Sequence, residues 1–317
     1  MIDLERVGAW LGEPVALEGT ATTGSSSTTL FVRVGSVAAV LQHPPAGPTL
    51  PTAHDLARQD RFLRAVGKAG RRVPVPRVVA FCDDAAVAGA PFLITERVDG
   101  VCLMGDRTYA IDAAPLARNA IDVMAELHAI DWAGLGLTTA PGSYVERQIN
   151  RWNDQLARTP TATRLGELAP LEQWLLAHRP PSDERVIVHG DFGFHNLLVT
   201  RDRVVAVLDW ELATIGDPLV DLIGFVKSWG GGALSPNPAN DVVAHAPDAL
   251  TRDELVARYE ERSGRSFGEH RPYYEAFSMW KSIGIFEGVH ARSGGTRFID
   301  EVPQLVATLR QLVDEQG

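Results

Sequence analysis

The chain has 317 residues, 45% hydrophobic and 22% charged, which is the make-up of a folded globular protein with one bilobal or two modest domains rather than a disordered chain. Its net charge of -10, all of it carried after residue 98, argues against a nucleic-acid backbone as the expected partner. Two cysteines without framework spacing, no basic-then-apolar leader and no run of 18 apolar residues predict a cytoplasmic protein with no membrane partner.

In chain order, residues 3–12 predict a short helix. The stretch 14–45 then reads as three strands, with "TTLFVRV" and "SVAAVLQ" the clearest and Pro44 and Pro45 ending the third. Residues 52–70 place Leu56, Phe62, Leu63 and Val66 at helical spacing, with Gly70 as a stop. "VPVPRVVAFCDD" and "APFLITERVDG" read as two more strands. After Gly100 the pattern becomes helical over 111–130, 143–158 and 167–178. Two short strands follow around residues 186–210, then helices over 219–229, 251–263, 271–291 and 302–315, with "GGGALSPNPAND" as an exposed loop. The expected fold class is therefore α+β: a β-rich unit, residues 1–98, ahead of a mainly helical unit, residues 99–317. The acidity of the second unit is read first as a solvated surface and second as a field for a cationic ligand.

The stretch "VIVHGDFGFHNLLV", residues 186–199, sets His189, Asp191, His195 and Asn196 among apolar runs, where polar side chains are costly unless something pairs or binds them. A two-residue turn at 201–202 would pair position 199 with 204 and 196 with 207. By strand alternation Asp209 then shares a face with Asn196, so an amide oxygen and a carboxylate converge as oxygen ligands suited to Mg2+. Asp191 precedes Asn196 by the D-x-x-x-x-N spacing of a kinase catalytic loop, in which Asp orients the attacking hydroxyl and Asn holds metal. His189 is expected to be structural and His195 a hydrogen-bonding loop residue. Trp152 and Trp280 are placed in the core in preference to an acceptor pocket. Ser25 and Ser26, in "GTATTGSSSTTL", are candidates to cover phosphates, though the loop lacks a Walker G-x-x-x-x-G-K and reads equally well as a surface turn.

The motifs "VHGDFGFHNLLV" and "VLDWELATIGDPLVDL", in this order of lobes, resemble the aminoglycoside phosphotransferase and choline kinase-like small-molecule kinases. The stretches "VPVPRVVAF", "GAPFLITERVDG" and "RQINRW" are most similar to the subgroup related to kinase-like domains attached to some acyl-CoA dehydrogenases. The resemblance implies a bilobal protein-kinase-like fold with a nucleotide-binding N-terminal lobe and a catalytic, acceptor-binding helical lobe. It implies Asp191 as catalytic base, Asn196 and Asp209 as metal ligands, and Thr95, Glu96 and Arg97 bordering the adenine pocket. It also implies that Asp217 and Asp221 tie their helix to the catalytic loop, where the residues alone read as helix caps. The co-substrates implied are ATP or GTP with Mg2+, in a monomer or homodimer.

The chain departs from that pattern at one place. Where related kinases carry a basic residue on the third strand and a Glu on the next helix, this chain has Gln42 and Gln59, and no lysine precedes Lys68. A Gln–Gln hydrogen bond would leave no charge stranded, and His43, Arg33 or Arg58 could supply part of the phosphate attraction, with Asp60 as a possible partner for His43. The function expected is transfer of a nucleotide γ-phosphate to a hydroxyl of a small molecule, an antibiotic or a metabolite such as a hydroxyacyl thioester. The alternatives are a catalytically silent nucleotide-binding module and a metal-dependent hydrolase built on His189, Asp191, His195 and Asp209.

Overall fold

The computed structural model describes every residue except 1, 22–27, 45–54, 106, 158–164, 182–183, 231–236, 293–300 and 317. Ser25 and Ser26, and most of the loop around them, lie outside the described residues.

The chain opens with α1 (Leu4–Leu11), whose free N–H groups on Glu5 and Arg6 are taken up by the Asp3 carboxylate, both at 3.1 Å. Strands β1 (Val15–Thr20), β2 (Thr28–Val34) and β3 (Val37–His43) follow as hairpins, then α2 (Leu56–Lys68), β4 (Val78–Cys82), a one-turn α3 (Ala85–Ala88) and β5 (Phe92–Glu96). They form one antiparallel sheet in the order β1-β2-β3-β5-β4. The sheet's outer face, with Val32, Leu41, Phe92 and Ile94, packs against α1 as a separate small core. Its inner face carries Val40 opposite Thr95 and Gln42 opposite Leu93. Leu56, Phe62, Leu63 and Val66 of α2 are all buried and join Leu93 in the large core, so this helix bridges the sheet and the helical part. Each such side chain contributes about 1.5–3 kcal/mol of apolar burial.

The second part contains β6 (Val101–Cys102), α4 (Ala113–His128), α5 (Tyr144–Leu156), α6 (Leu165–Ala177), β7 (Val186–Val188), β8 (Leu197–Val199), β9 (Val204–Val207), β10 (Thr214–Gly216), α7 (Leu219–Val226), α8 (Pro238–Ala244), α9 (Arg252–Ser263), α10 (Arg271–Arg292) and α11 (Glu301–Gln316). Two small ribbons, β6-β8-β9 and β10-β7, lie among the helices. Among the described residues no helix is long and apolar enough to cross a membrane.

Three local expectations are corrected. The one-turn α3 was not anticipated, being too short to show periodicity. The stretch "PNPAND" is not loop throughout: Asn237 and Pro238 open α8, with the Asn237 side chain accepting from Asn240 N–H, the arrangement that Asn-Pro favours at a helix start. In the β8–β9 hairpin Val199 does pair with Val204, but Leu197, not Asn196, pairs with Val207. An extra residue on β9 produces this bulge and slides the register by one.

Candidate active site

The catalytic loop begins where β7 ends. Gly190 has φ 86°, and a Cβ there would lie 2.7 Å from the Leu212 carbonyl oxygen, so only glycine fits. The N–H groups of His189 and Gly190 donate to the two oxygens of Asp221, at 2.7 and 2.8 Å, which places the start of α7 directly behind the loop. Asp217 does something different, accepting from Leu219 N–H at 2.9 Å and from the Tyr274 hydroxyl at 2.6 Å. The helix cap is therefore Asp217 and the tie to the loop is Asp221. His189 is wholly buried, its Nε2–H donating to Leu208 O at 2.8 Å and its Nδ1 accepting from Asp191 N–H at 3.3 Å. Burial pushes its pKa down, keeping it a neutral brace.

Asp191 Oδ2 accepts from Asn196 Nδ2 at 3.0 Å and from His195 Nε2 at 3.1 Å. Its side chain is still 43% exposed, so the carboxylate remains open to solvent. Partial burial opposes its ionisation, but the charge and hydrogen bond of His195, with the Lys281 charge behind, hold the carboxyl well below the usual range. Partial burial works against protonation of His195 as well; the Asp191 carboxylate outweighs it and raises the ring's pKa.

Asp209 reaches the site by a route that strand alternation does not describe. β9 has ended at Val207, and Asp209 is the one non-glycine residue with positive φ, 59°, among the described residues. Such a conformation costs on the order of 1–3 kcal/mol and clusters at functional sites. Burial and the neighbouring Asp191 charge push the Asp209 carboxyl up to about 6. A divalent cation suits this arrangement: two carboxylates repel each other, and the Asn196 amide oxygen accepts no hydrogen bond among the described residues. The hydrolase alternative requires a fuller cage, and among the described residues no three His, Cys, Asp or Glu side chains are arranged as one.

The sheet residues expected to border a nucleotide are less available than the sequence suggests. Gln42 and Thr95 share the inner face of the sheet, toward the helical part. His43, one residue on, turns to the outer face, buried with Nδ1 2.7 Å from Pro44 O; burial lowers its pKa, and it cannot reach phosphates from there. Glu96 also points away, held by Arg77 N–H at 3.1 Å and the Arg77 guanidinium at 3.4 Å. Arg97 lies over the Phe31 ring, 4.7 Å from its centroid. The Gln42–Gln59 hydrogen bond is not formed; Gln59 is buried on α2 with no side-chain bond to Gln42. The proposed substitute cations are engaged too, Arg33 with Glu18 at 2.5 Å and Arg58 with Asp55 at 3.2 Å, while Asp60 pairs with Arg64 at 2.6 Å and not with His43.

A sheet-plus-helical architecture, with a carboxylate base and an Asn–Asp pair on adjoining loop and ribbon, is the arrangement found in small-molecule kinases. Residues 20–272 match the sequence model of the phosphotransferase enzyme family. The chain belongs to that family. Among its relatives is the chicken (Gallus gallus) acyl-CoA dehydrogenase family member 11, 32% identical over 285 residues, 86% of this chain and 36% of the relative. The chain thus spans about a third of that curated relative's length. A Ralstonia eutropha protein classed as an aminoglycoside phosphotransferase is 30% identical, with a TM-score of 0.72 over 99% of this chain and 96% of that one. The aminoglycoside phosphotransferase APH(4)-Ia, solved with ADP and hygromycin B, shares the fold at 17% identity, with a TM-score of 0.67 over 98% and 97% of the two chains.

Within this phosphotransferase fold, three residues around the loop, Asn240, Asn237 and Lys281, escaped the sequence reading. Asn240 is fully buried and its Oδ1 accepts from Phe194 N–H at 2.9 Å, while Asn237 Nδ2 donates to His195 Nδ1 at 2.9 Å. Both belong to α8, the helix taken for loop. His195 was judged a hydrogen-bonding residue, but the group it bonds is the catalytic-base candidate itself. Lys281, from α10, donates to Gly190 O. Its signal was present in composition: it is one of three lysines in a chain with 27 arginines.

Proposed function

We propose that the protein is a small-molecule O-phosphotransferase that moves the γ-phosphate of ATP or GTP to a substrate hydroxyl with Mg2+. The reading rests above all on the partly exposed Asp191 carboxylate, bonded by the Asn196 amide and near enough to Asp209 for the two charges to interact. Asp191 accepts a hydrogen bond from the acceptor hydroxyl, aims its oxygen at the γ-phosphorus and takes its proton as the new P–O bond forms and the bond to the β-phosphate oxygen breaks. Asn196 and Asp209 would hold the divalent cation, which when bound offsets charge on the phosphate oxygens. In this scheme residues 1–98 bind nucleotide, with Gln42, Thr95 and Arg97 on or beside the inner face, and residues 99–317 supply the chemistry and the acceptor pocket.

The family includes antibiotic kinases, and the acyl-CoA dehydrogenase relatives favour a hydroxyacyl thioester as the acceptor. The test is a panel of both kinds of alcohol with ATP or GTP and Mg2+, reading ADP or GDP release, with Asp191→Ala as control. Release that requires both an acceptor and Asp191 is the expected result. A second reading, a silent nucleotide-binding module, is favoured by Gln42 and Gln59, and nucleotide binding with no turnover across the panel would establish it.

A further inference from the structure

Two of the chain's three lysines, Lys227 and Lys281, lie behind the catalytic loop, and the third, Lys68, is exposed. Apart from Lys68, the protein makes its other cations from arginine, 27 in all. Lys281 is 9% exposed, and its ammonium donates to the carbonyl of Gly190, the residue immediately before Asp191. Lys227 sits near it, donating to Ser278 O at 3.1 Å and Ser282 Oγ at 2.5 Å, two residues one turn apart on α10 that flank Lys281.

The peptide joining Gly190 to Asp191 is the weak point of the loop. Glycine at positive φ tolerates rotation of the adjoining peptide plane far better than other residues do. The N–H of this peptide is held only by a long bond, 3.3 Å, to His189 Nδ1, whereas Asp221 grips the two preceding N–H groups and leaves this plane free. The Gly190 carbonyl is therefore the one handle by which the plane can be fixed from behind, and Lys281 holds it. A compact ammonium on a long stem can reach a single carbonyl through a packed helix interface, where a planar guanidinium needs a wider slot and several acceptors.

We propose that Lys281 is a positioning residue that locks the Gly190–Asp191 peptide plane and so fixes the direction of the Asp191 carboxylate. The inference rests on the phosphotransferase reading for its catalytic consequence, though not for the lock itself. Misplacing a reacting group by about 1 Å costs on the order of 10²-fold in rate.

The test compares Lys281→Met, Lys281→Gln and the exposed Lys68→Met by turnover and by amide hydrogen exchange over residues 189–193. Lys281→Met should lower kcat by 10- to 100-fold with KM for nucleotide within threefold of the parent, and should speed exchange in the loop while α4 and α10 stay protected. Lys281→Gln retains an N–H donor for the carbonyl, so it should keep most loop protection and lose less than tenfold in kcat. Lys68→Met should match the parent. Unchanged loop exchange in Lys281→Met, or a kcat within threefold of the parent, overturns the proposal, as does Gln behaving no better than Met. If Lys281→Met does not fold, Lys281→Gln decides: retained loop protection supports the lock and lost protection overturns it. If the parent and Asp191→Ala are equally inactive on every acceptor, the phosphotransferase reading has failed, and the exchange data still judge the lock.

Discussion

The inner face of the N-terminal sheet and the loop that follows β7 carry opposite resources. On the sheet side, Gln42 and Gln59 stand where related kinases carry an ion pair, and the nearby arginines are occupied by Glu18 and Asp55. On the loop side, Asp221 takes the His189 and Gly190 N–H groups, His189 that of Asp191 and Asn240 that of Phe194, while Lys281 holds the Gly190 carbonyl and Asn237 the His195 ring. Phosphoryl transfer needs both nucleotide attraction and positioning of the attacking oxygen. Under the proposed function the loop's polar groups serve positioning, and a divalent cation would supply most of the attraction for the phosphates.

That contrast can be broken or sharpened by substitution, and the largest effect belongs to the loop. Asp191→Ala should lower kcat by at least 10²–10⁴-fold with little change in nucleotide binding, as isothermal titration alongside the turnover assay would show. Next come the oxygen ligands: Asp209→Asn or Asn196→Ala should raise the Mg2+ concentration for half-maximal rate by roughly tenfold or more, read from Mg2+ titrations at fixed nucleotide. Asp221→Ala removes the acceptor for two backbone N–H groups and a partner of the buried His128, and should cost about 3–5 kcal/mol in urea unfolding.

The sheet side should respond less. Gln42→Lys combined with Gln59→Glu rebuilds an ion pair and should lower KM for nucleotide by about 3–10-fold, whereas Gln42→Lys alone adds a cation without a partner and should gain less. Equal KM values for parent and double variant would mean that the glutamines do not limit attraction.

The smallest effect is a pH signature at Lys227. Burial, with the Lys281 charge adding to it, brings this amine down to about 7. Between that value and the ordinary lysine range near 10, the unfolded chain binds a proton that the folded chain does not, so this share of stability rises with pH across the window. Lys227→Met should therefore be more stable than the parent by about 1–3 kcal/mol at pH 7, with the advantage shrinking toward pH 10 in denaturant titrations.

Much of this was readable from residue order. The five strands of the first 98 residues and the long helices fall where alternation and 3.6-residue spacing put them, because those patterns report which side of each element is buried. The D-x-x-x-x-N spacing drew attention to the loop in which Asp191 and Asn196 are hydrogen-bonded to each other. The turn type gave the correct Val199–Val204 pair and then failed one step later at the bulge, since an extra residue on one strand leaves no mark in an apolar run such as "VVAVL". His43 was misjudged by one position, which in a strand is the difference between two faces.

The sequence by itself determined the elements, the order of the two lobes and the identity of the three oxygen-bearing groups, all of which depend on neighbours within a few residues. The tertiary structure alone decided how those groups are held. Asp209 arrives through a left-handed turn, Asn240 reaches the loop from 46 residues away, and Lys281 from 91. Contacts at such separations follow from how whole elements pack, and a periodic pattern, which records only whether a side chain is buried, carries no information about which distant carbonyl it will meet.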